Sequence, residues 1–163
     1  MNKEVAVSDV IDIIIEKLEQ GGTVTFTPNG TSMLPMLRDG EDVVVLSKPN
    51  GRLHLFDIPL YKRKNGEYVL HRVVGFDADG GYILCGDNQF VNEHGIYDKD
   101  ILGVITAFHR KGKPYELTSV KYRLYLNLWY YTRFFRHSYR FGKNKAGKIF
   151  GKKENSQNEN KAE

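Results

Sequence analysis

The sequence predicts a mainly β protein: a small antiparallel β domain with an N-terminal helix and a C-terminal basic aromatic helix. Two observations lead to this fold class. Short runs rich in β-forming residues fill residues 23 to 109, and turn-forming Gly, Asn, Asp and Pro residues separate them. A helical periodicity precedes these runs. With 163 residues, one domain with one hydrophobic core is expected.

The N-terminal segment, residues 1–22, is expected to hold an amphipathic helix over residues 8–20. Ser8 is a suitable N-cap, and Gly21 and Gly22 end the pattern. The apolar residues share one face and the acidic residues lie largely off it; the apolar ones are Val7, Ile11, Ile14, Ile15 and Leu18.

Six β-rich runs follow, and we place the β domain at residues 23–112. The runs are residues 23–27, 42–47, 58–63, 68–76, 81–85 and 102–108. Asn65-Gly66 predicts a hairpin between the third and fourth runs. Asp79-Gly80-Gly81 predicts another between the fourth and fifth.

The C-terminal part differs from the rest in charge. Residues 1–119 hold 13 basic and 17 acidic side chains, whereas residues 120–163 hold 11 basic and 3 acidic ones. We predict a basic aromatic helical segment at 113–141 and a disordered tail at 142–163. Residues 120–141 are expected to lie at a membrane surface or to pack on the β body. Binding to a partner or to nucleic acid is less favoured, and nucleic acid is an unlikely partner for the chain as a whole.

Several classes of site are disfavoured by composition. The one cysteine, Cys85, allows no intramolecular disulfide and no thiolate zinc site. No spacing of histidines and acids is typical of metal ligands, so we expect no metal and no other cofactor. No apolar stretch approaches the ~20 residues of a membrane span. We expect a cytoplasmic protein, with peripheral attachment at the membrane surface as the alternative.

Three residues in separate short segments supply a hydroxyl, an imidazole and a carboxylate: Ser32, His71 and Asp87. A serine attacks an amide at neutral pH only when a base takes its proton, and histidine suits that role. A carboxylate then fixes the imidazole tautomer. Each residue also has an ordinary structural interpretation, since Ser32 and Asp87 suit turns and His71 suits a partly buried strand.

The order of the segments around these residues resembles that of a known family. The successive segments are Ser-Met-Leu-Pro at 32–35, Gly-Glu-Asp-Val-Val at 40–44, Phe-Asp-Ile-Pro-Leu-Tyr at 56–61, Leu-His-Arg-Val-Val at 70–74 and Gly-Asp-Asn at 86–88. Over residues 23–109 this set resembles the type I signal peptidases, whose superfamily includes the self-cleaving LexA-type peptidases. His71 stands where most bacterial members have lysine, as in the histidine-using branch of endoplasmic-reticulum and archaeal signal peptidases.

The resemblance implies Ser32 as nucleophile and His71 as general base. The acid is Asp87 or Glu93, which stands six residues later where the branch has a second aspartate; Asp98 is a more distant alternative. Met33 and Pro35 would contact substrate. The family's oxyanion serine is replaced by Gly30, so that role would pass to Ser32 and Thr31, or to Asn29.

The function implied is that of a serine endopeptidase that cleaves a leader, signal or precursor peptide after small residues. The substrate would bind extended, beside residues 23–27 and the region of residues 82–85. The alternatives are a regulatory, self-cleaving protein and a catalytically inactive peptide-binding member of the same fold.

Overall fold

A computed structural model describes residues 7–132, and confirms a mainly β protein with two antiparallel sheets and two helices. The tail predicted at 142–163 and the end of the helical segment lie outside the described residues. In chain order, the elements are α1 Val7–Glu19, β1 Thr23–Phe26, β2 Val43–Ser47, β3 Pro59–Lys62, β4 Tyr68–Leu70, β5 Arg72–Phe76, β6 Tyr82–Cys85, β7 Glu93–Ile96, β8 Ile101–Arg110, β9 Lys113–Glu116 and α2 Val120–Tyr131.

The strands form a six-stranded sheet A and a three-stranded sheet B. Sheet A has the order β1-β2-β8-β3-β4, and β9 pairs with the far end of β8. Sheet B has the order β5-β6-β7. The chain forms two compact units divided after Tyr122, so both sheets belong to the first unit and the second begins within α2. No helix among residues 7–132 is long and apolar enough to cross a membrane.

Helix α1 confirms the amphipathic pattern and packs against sheet A. Ile11, Ile14 and Leu18 are buried. At Gly103 of β8, a Cβ atom would lie only 2.7 Å from Leu46 Cγ and 3.0 Å from Leu18 Cδ1. Glycine at this position therefore lets the helix and the β2 side chain approach the sheet closely.

Both predicted hairpins are present. Strands β3 and β4 pair across the Asn65-Gly66 turn, with Lys62 opposite Tyr68. Strands β5 and β6 pair across residues 77–81, with Phe76 opposite Tyr82. The turn residues Asn65-Gly66 and Asp79-Gly80-Gly81 were therefore sufficient to predict the two hairpins.

The predicted strand at residues 68–76 is wrong in one respect: it is two strands that belong to different sheets. Strand β4 ends at Leu70 in sheet A, and β5 begins at Arg72 in sheet B. His71 lies between them. The β-forming pattern is continuous across this point because both strands are partly buried, so the pattern does not register the change of sheet.

The predicted boundary at residue 112 and the helical start at residue 113 are also wrong. Lys111 and Gly112 both have positive φ, +51° and +73°, which is the backbone of a two-residue hairpin turn. Strand β9 therefore continues sheet A through Pro114, which is tolerated on an edge strand. The helix begins only at Val120.

A hydrophobic core lies where the two sheets meet. Tyr61 from β3 packs in one cluster with residues of all three sheet B strands and with Leu53; those residues are Val73, Tyr82, Leu84 and Ile96. Tyr61 is fully buried. The core thereby fixes the phenol ring that reaches the candidate site.

A buried ion pair fastens the turn after Ser32 to the end of β8. The Asp42 carboxylate is fully buried and accepts hydrogen bonds from Arg110, at 2.7 Å to the nearest nitrogen, and from the Arg38 backbone N–H at 2.9 Å. Burial alone would raise the pKa of Asp42, but these hydrogen bonds outweigh it and hold the pKa below its usual value. The carboxylate is therefore charged and fully partnered at neutral pH.

We expect Asp42→Asn to lower the free energy of unfolding by about 1.5–3 kcal/mol, because it weakens charge-assisted hydrogen bonds in a buried setting. Glu41→Gln, next in the chain, should change it by less than about 0.5 kcal/mol, because Glu41 is exposed. The difference should shrink in acid, since the stabilisation is lost as pH falls below about 4 and through the folded-state pKa. Urea unfolding at several pH values measures this, and equal losses in the two variants would contradict the assignment.

Candidate active site

Ser32 lies in a tight turn between β1 and β2, and its side chain is half-buried. The Leu37 N–H donates to the Met33 carbonyl at 2.9 Å, which closes the turn. On the other side, Gly30 has a φ of +108° and its N–H donates to Asp39 Oδ1 at 2.7 Å. Only glycine adopts this backbone conformation without strain, so Gly30 sets the path of the chain as it enters the Ser32 turn.

His71 occupies the junction between the sheets and is 1% exposed. Its Nδ1 atom lies 3.0 Å from Glu93 Oε1. Glu93 begins β7, an element that the sequence did not predict. The junction therefore joins a histidine from between the sheets with a carboxylate from the edge of sheet B.

The Glu93 carboxylate has two further donors, both from β3 or its end. The Tyr61 hydroxyl donates to Glu93 Oε2 at 2.9 Å, and Arg63 Nε donates to the same oxygen at 2.9 Å. A second nitrogen of Arg63 binds Glu93 Oε1. These partners outweigh burial, which alone would raise the pKa of Glu93, and hold that pKa below its usual value.

These contacts assign the tautomer of His71. Glu93 is ionised and accepts only. Burial and the Glu93 charge raise the pKa of Tyr61, so the phenol keeps its proton and donates it to Glu93. The Tyr61 oxygen also lies 3.1 Å from His71 Nδ1. Nδ1 is thus surrounded by acceptors and carries the proton, which leaves Nε2 with a free lone pair.

His71 is neutral at physiological pH. Burial lowers its pKa below 6.5, and this effect exceeds the opposing attraction of Glu93. The nearby Arg63 cation also lowers it. A neutral imidazole with an unprotonated Nε2 is the form that acts as a general base.

Gly86 brings His71 Nε2 and the Ser32 turn together. A Cβ atom at Gly86 would lie 2.7 Å from the Ser32 carbonyl oxygen and 3.1 Å from His71 Nε2. The Asn88 N–H donates to the same Ser32 oxygen at 2.8 Å, and the Asn88 side chain donates to the Thr31 carbonyl at 3.1 Å. The turn at 86–88 therefore clamps the Ser32 backbone beside the imidazole.

The Ser32 hydroxyl and backbone N–H form no hydrogen bond within residues 7–132, and no bond joins Ser32 directly to His71. Thr31 is exposed, and its side chain forms no hydrogen bond in the same region. The Ser32 N–H is thus available to a ligand oxygen. The structure therefore brings the Ser32 backbone near His71 Nε2 without a hydrogen bond between the two side chains.

Asp87 has a different partner from the one that a triad requires. Its carboxylate binds Arg72 through two hydrogen bonds of 2.7 Å, and both side chains are almost fully buried. Arg72 also donates to the Phe56 carbonyl at 3.0 Å and to the Tyr122 hydroxyl at 2.7 Å. Asp98, the more distant alternative, binds the Tyr82 hydroxyl. Of the three acids considered, the structure brings Glu93 to the His71 ring.

A cleft of about 260 Å³ opens beside Ser32. Its surface is polar and apolar in equal parts, and its lining includes Phe26, Ser32, Met33, Leu60 and Leu70. Met33, for which substrate contact was predicted, lines this cleft. Pro35 is exposed and does not line the cleft.

Strands β1 and β4 are opposite edges of sheet A, yet residues of both line this cleft. The sheet therefore curves until its edges face each other. The expectation that a peptide pairs with residues 82–85 is wrong, because β6 is paired on both sides, with Cys85 opposite Arg72 and Leu84 opposite Glu93. Strands β1 and β4 are each paired on one side only and supply the available edges.

Tyr61 and Arg63 are the site residues that sequence reasoning missed. Their spacing of two residues along the β-rich run 58–63 predicts that both side chains lie on one face, and this was the available signal. A larger concavity of about 630 Å³ also includes Arg63 but contains neither Ser32 nor His71.

Comparison of the sequence with protein-family models and with curated proteins gives no match.

We predict that Glu93→Gln lowers the pKa of His71 further, because it removes the negative charge that opposes burial and Arg63. Glu67→Gln is the matched control, since Glu67 also binds Arg63, at 2.8 Å, but is exposed. Titration of the imidazole resonances by NMR measures both, and His71→Ala identifies the His71 signal. An unchanged His71 titration in Glu93→Gln, or a neutral form protonated at Nε2, would contradict the assigned contacts.

Proposed function

We propose that this protein is a serine endopeptidase in which Ser32 is the nucleophile, His71 the general base and Glu93 the carboxylate that orients His71. The observation that carries the proposal is the buried, neutral His71. Its Nδ1 is held by Glu93 at 3.0 Å, and its Nε2 faces Gly86 beside the Ser32 backbone. The resemblance to histidine-using signal peptidases assigns the same roles to Ser32 and His71.

In the proposed reaction, Nε2 takes the Ser32 hydroxyl proton as the oxygen attacks a peptide carbonyl. The imidazolium that forms is stabilised by the Glu93 charge. It then gives the proton to the leaving amine, and the acyl group stays on Ser32. A water molecule, deprotonated by His71, releases the second product and regenerates the serine. A bound peptide would have to bring the Ser32 side chain to Nε2, since catalytic contacts often tighten only with substrate.

The tetrahedral oxyanion would be bound by the Ser32 backbone N–H, which is available in the described structure. The Gly30 N–H is not a second donor, because it binds Asp39. The exposed Thr31 hydroxyl is the nearest side-chain helper in sequence. One missing donor costs ~10²–10³ in rate in other serine peptidases, so we expect slow or selective turnover.

The substrate would be an extended peptide lying between the facing edges of sheet A. Exposed strand edges bind peptides through main-chain hydrogen bonds, with alternate side chains in pockets. The cleft beside Ser32 would take one such side chain. By resemblance, the scissile bond follows a small residue, and a leader, signal or precursor peptide is the natural substrate class. We place the enzyme in the cytoplasm or at its membrane surface.

Peptide binding without cleavage is the second candidate function. It is favoured by the lack of a hydrogen bond between Ser32 and His71, because the cleft and the strand edges do not require that bond. Regulatory self-cleavage uses the same residues and differs only in the origin of the peptide. The experiment below separates these outcomes.

We expect the purified full chain to cleave members of a defined peptide library with Ala-containing sites, as measured by mass spectrometry. Ser32→Ala and His71→Ala should each lower the cleavage rate by at least ~10³-fold, because each removes a member of the proton-transfer pair. Ser47→Ala and His54→Ala are the matched controls. Ser47 lies in β2 and His54 is largely exposed, away from the cleft lining.

Equal cleavage by the wild type, Ser32→Ala and His71→Ala would overturn the mechanism. Saturable binding of peptides without cleavage by the wild type would favour the binding function instead. Cleavage of the protein's own chain, abolished by Ser32→Ala, would identify the self-cleaving form.

A further inference from the structure

Helix α2 carries an apolar stripe that faces solvent. Val120, Leu124, Leu128 and Tyr131 are spaced by three or four residues and therefore lie on one side of the helix. They are 73%, 64%, 70% and 74% exposed. Large apolar side chains grouped in this way mark an interaction surface more often than scattered ones do.

Basic charge accompanies the stripe. Lys121 and Arg123 are exposed on the same helix. Residues 117–153 contain ten lysines and arginines and no acid. A partner must therefore offer an apolar region that can bury the stripe, with negative charge around that region.

We propose that α2 lies flat on an anionic lipid bilayer, with the stripe in the interface and the basic residues at the headgroups. A 12-residue helix is about 18 Å long, which is too short to span a bilayer but suits an interfacial position. Lipid fits better than nucleic acid because the exposed side chains of the helix include two leucines, a valine and a tyrosine, each more than 60% exposed. This inference is independent of the chemistry proposed for Ser32.

Co-sedimentation of the purified full chain with large unilamellar vesicles tests the proposal. Vesicles of phosphatidylcholine with one quarter phosphatidylglycerol are compared with pure phosphatidylcholine, and a 30-base-pair DNA duplex is assayed in parallel. We expect binding to the anionic vesicles, at least tenfold weaker binding to the neutral ones, and weakening by 0.5 M salt.

Two variants probe the two parts of the surface. Leu124→Ser with Leu128→Ser removes apolar depth, and Lys121→Glu with Arg123→Glu reverses local charge. Each pair should weaken vesicle binding at least tenfold. The control pair is Ile13→Ser with Val91→Ser, because these residues are 64% and 78% exposed but lie outside α2. Circular dichroism checks that all variants keep the wild-type helix content.

Retained binding in the leucine pair would overturn the proposal, as would equal loss in the control pair. Failure of the wild type to bind anionic vesicles, or binding to the duplex that exceeds vesicle binding, would overturn it as well. If the variant with Leu124→Ser and Leu128→Ser fails to fold, the variant with Lys121→Glu and Arg123→Glu still tests the proposal, because Lys121 and Arg123 are exposed.

Discussion

The carboxylate of Glu93 connects the parts of the molecule on which the candidate site depends. It belongs to the first residue of β7 in sheet B, yet two of its partners, Tyr61 and Arg63, come from β3 of sheet A or its end. Its third partner, His71, lies where the chain passes from one sheet to the other. Removing this charge would leave Arg63 and His71 without their shared acceptor, and unpartnered groups in such a setting are costly. The carboxylate therefore ties the two sheets together and orients the imidazole at once.

The opposing electrostatic effects at His71 have a chemical consequence. Burial favours the neutral ring, whereas Glu93 favours the charged ring, and burial is the larger effect. The resting histidine is thus a base with its Nε2 lone pair available. If it takes a proton in the proposed reaction, Glu93 is already in place to stabilise the new charge. A neighbouring ion pair, Arg72 and Asp87, is almost fully buried, and two hydrogen bonds of 2.7 Å join its side chains. Two adjacent residues in sequence, His71 and Arg72, consequently have different carboxylate partners.

Local chemistry made α1 and the two hairpins predictable, because the amphipathic pattern and the Asn65-Gly66 turn determine them over a few residues. The choice between Asp87 and Glu93 was not predictable, because both lie near His71 in the fold and only the pairing of β6 with β7 decides which one reaches Nδ1. Strand β7, Glu-His-Gly-Ile, has too little β-forming character to be recognised. Strand β9 was missed because Pro114 normally interrupts strands, and its edge position became evident only with the pairing to β8. The chain passes from sheet A to sheet B at His71 because of tertiary packing. The two-residue alternation of side chains along a β-strand does not encode this change of sheet.

The central claim is that a neutral His71, held by Glu93, activates Ser32. The rate at which a fluorophosphonate probe labels Ser32, followed by mass spectrometry as a function of pH, tests it most directly. We expect an adduct on Ser32 whose formation rate rises with pH through a pKa below 6.5, and labelling at least ~100-fold slower in His71→Ala. Absence of an adduct on Ser32, or a rate that does not depend on His71, would contradict the account.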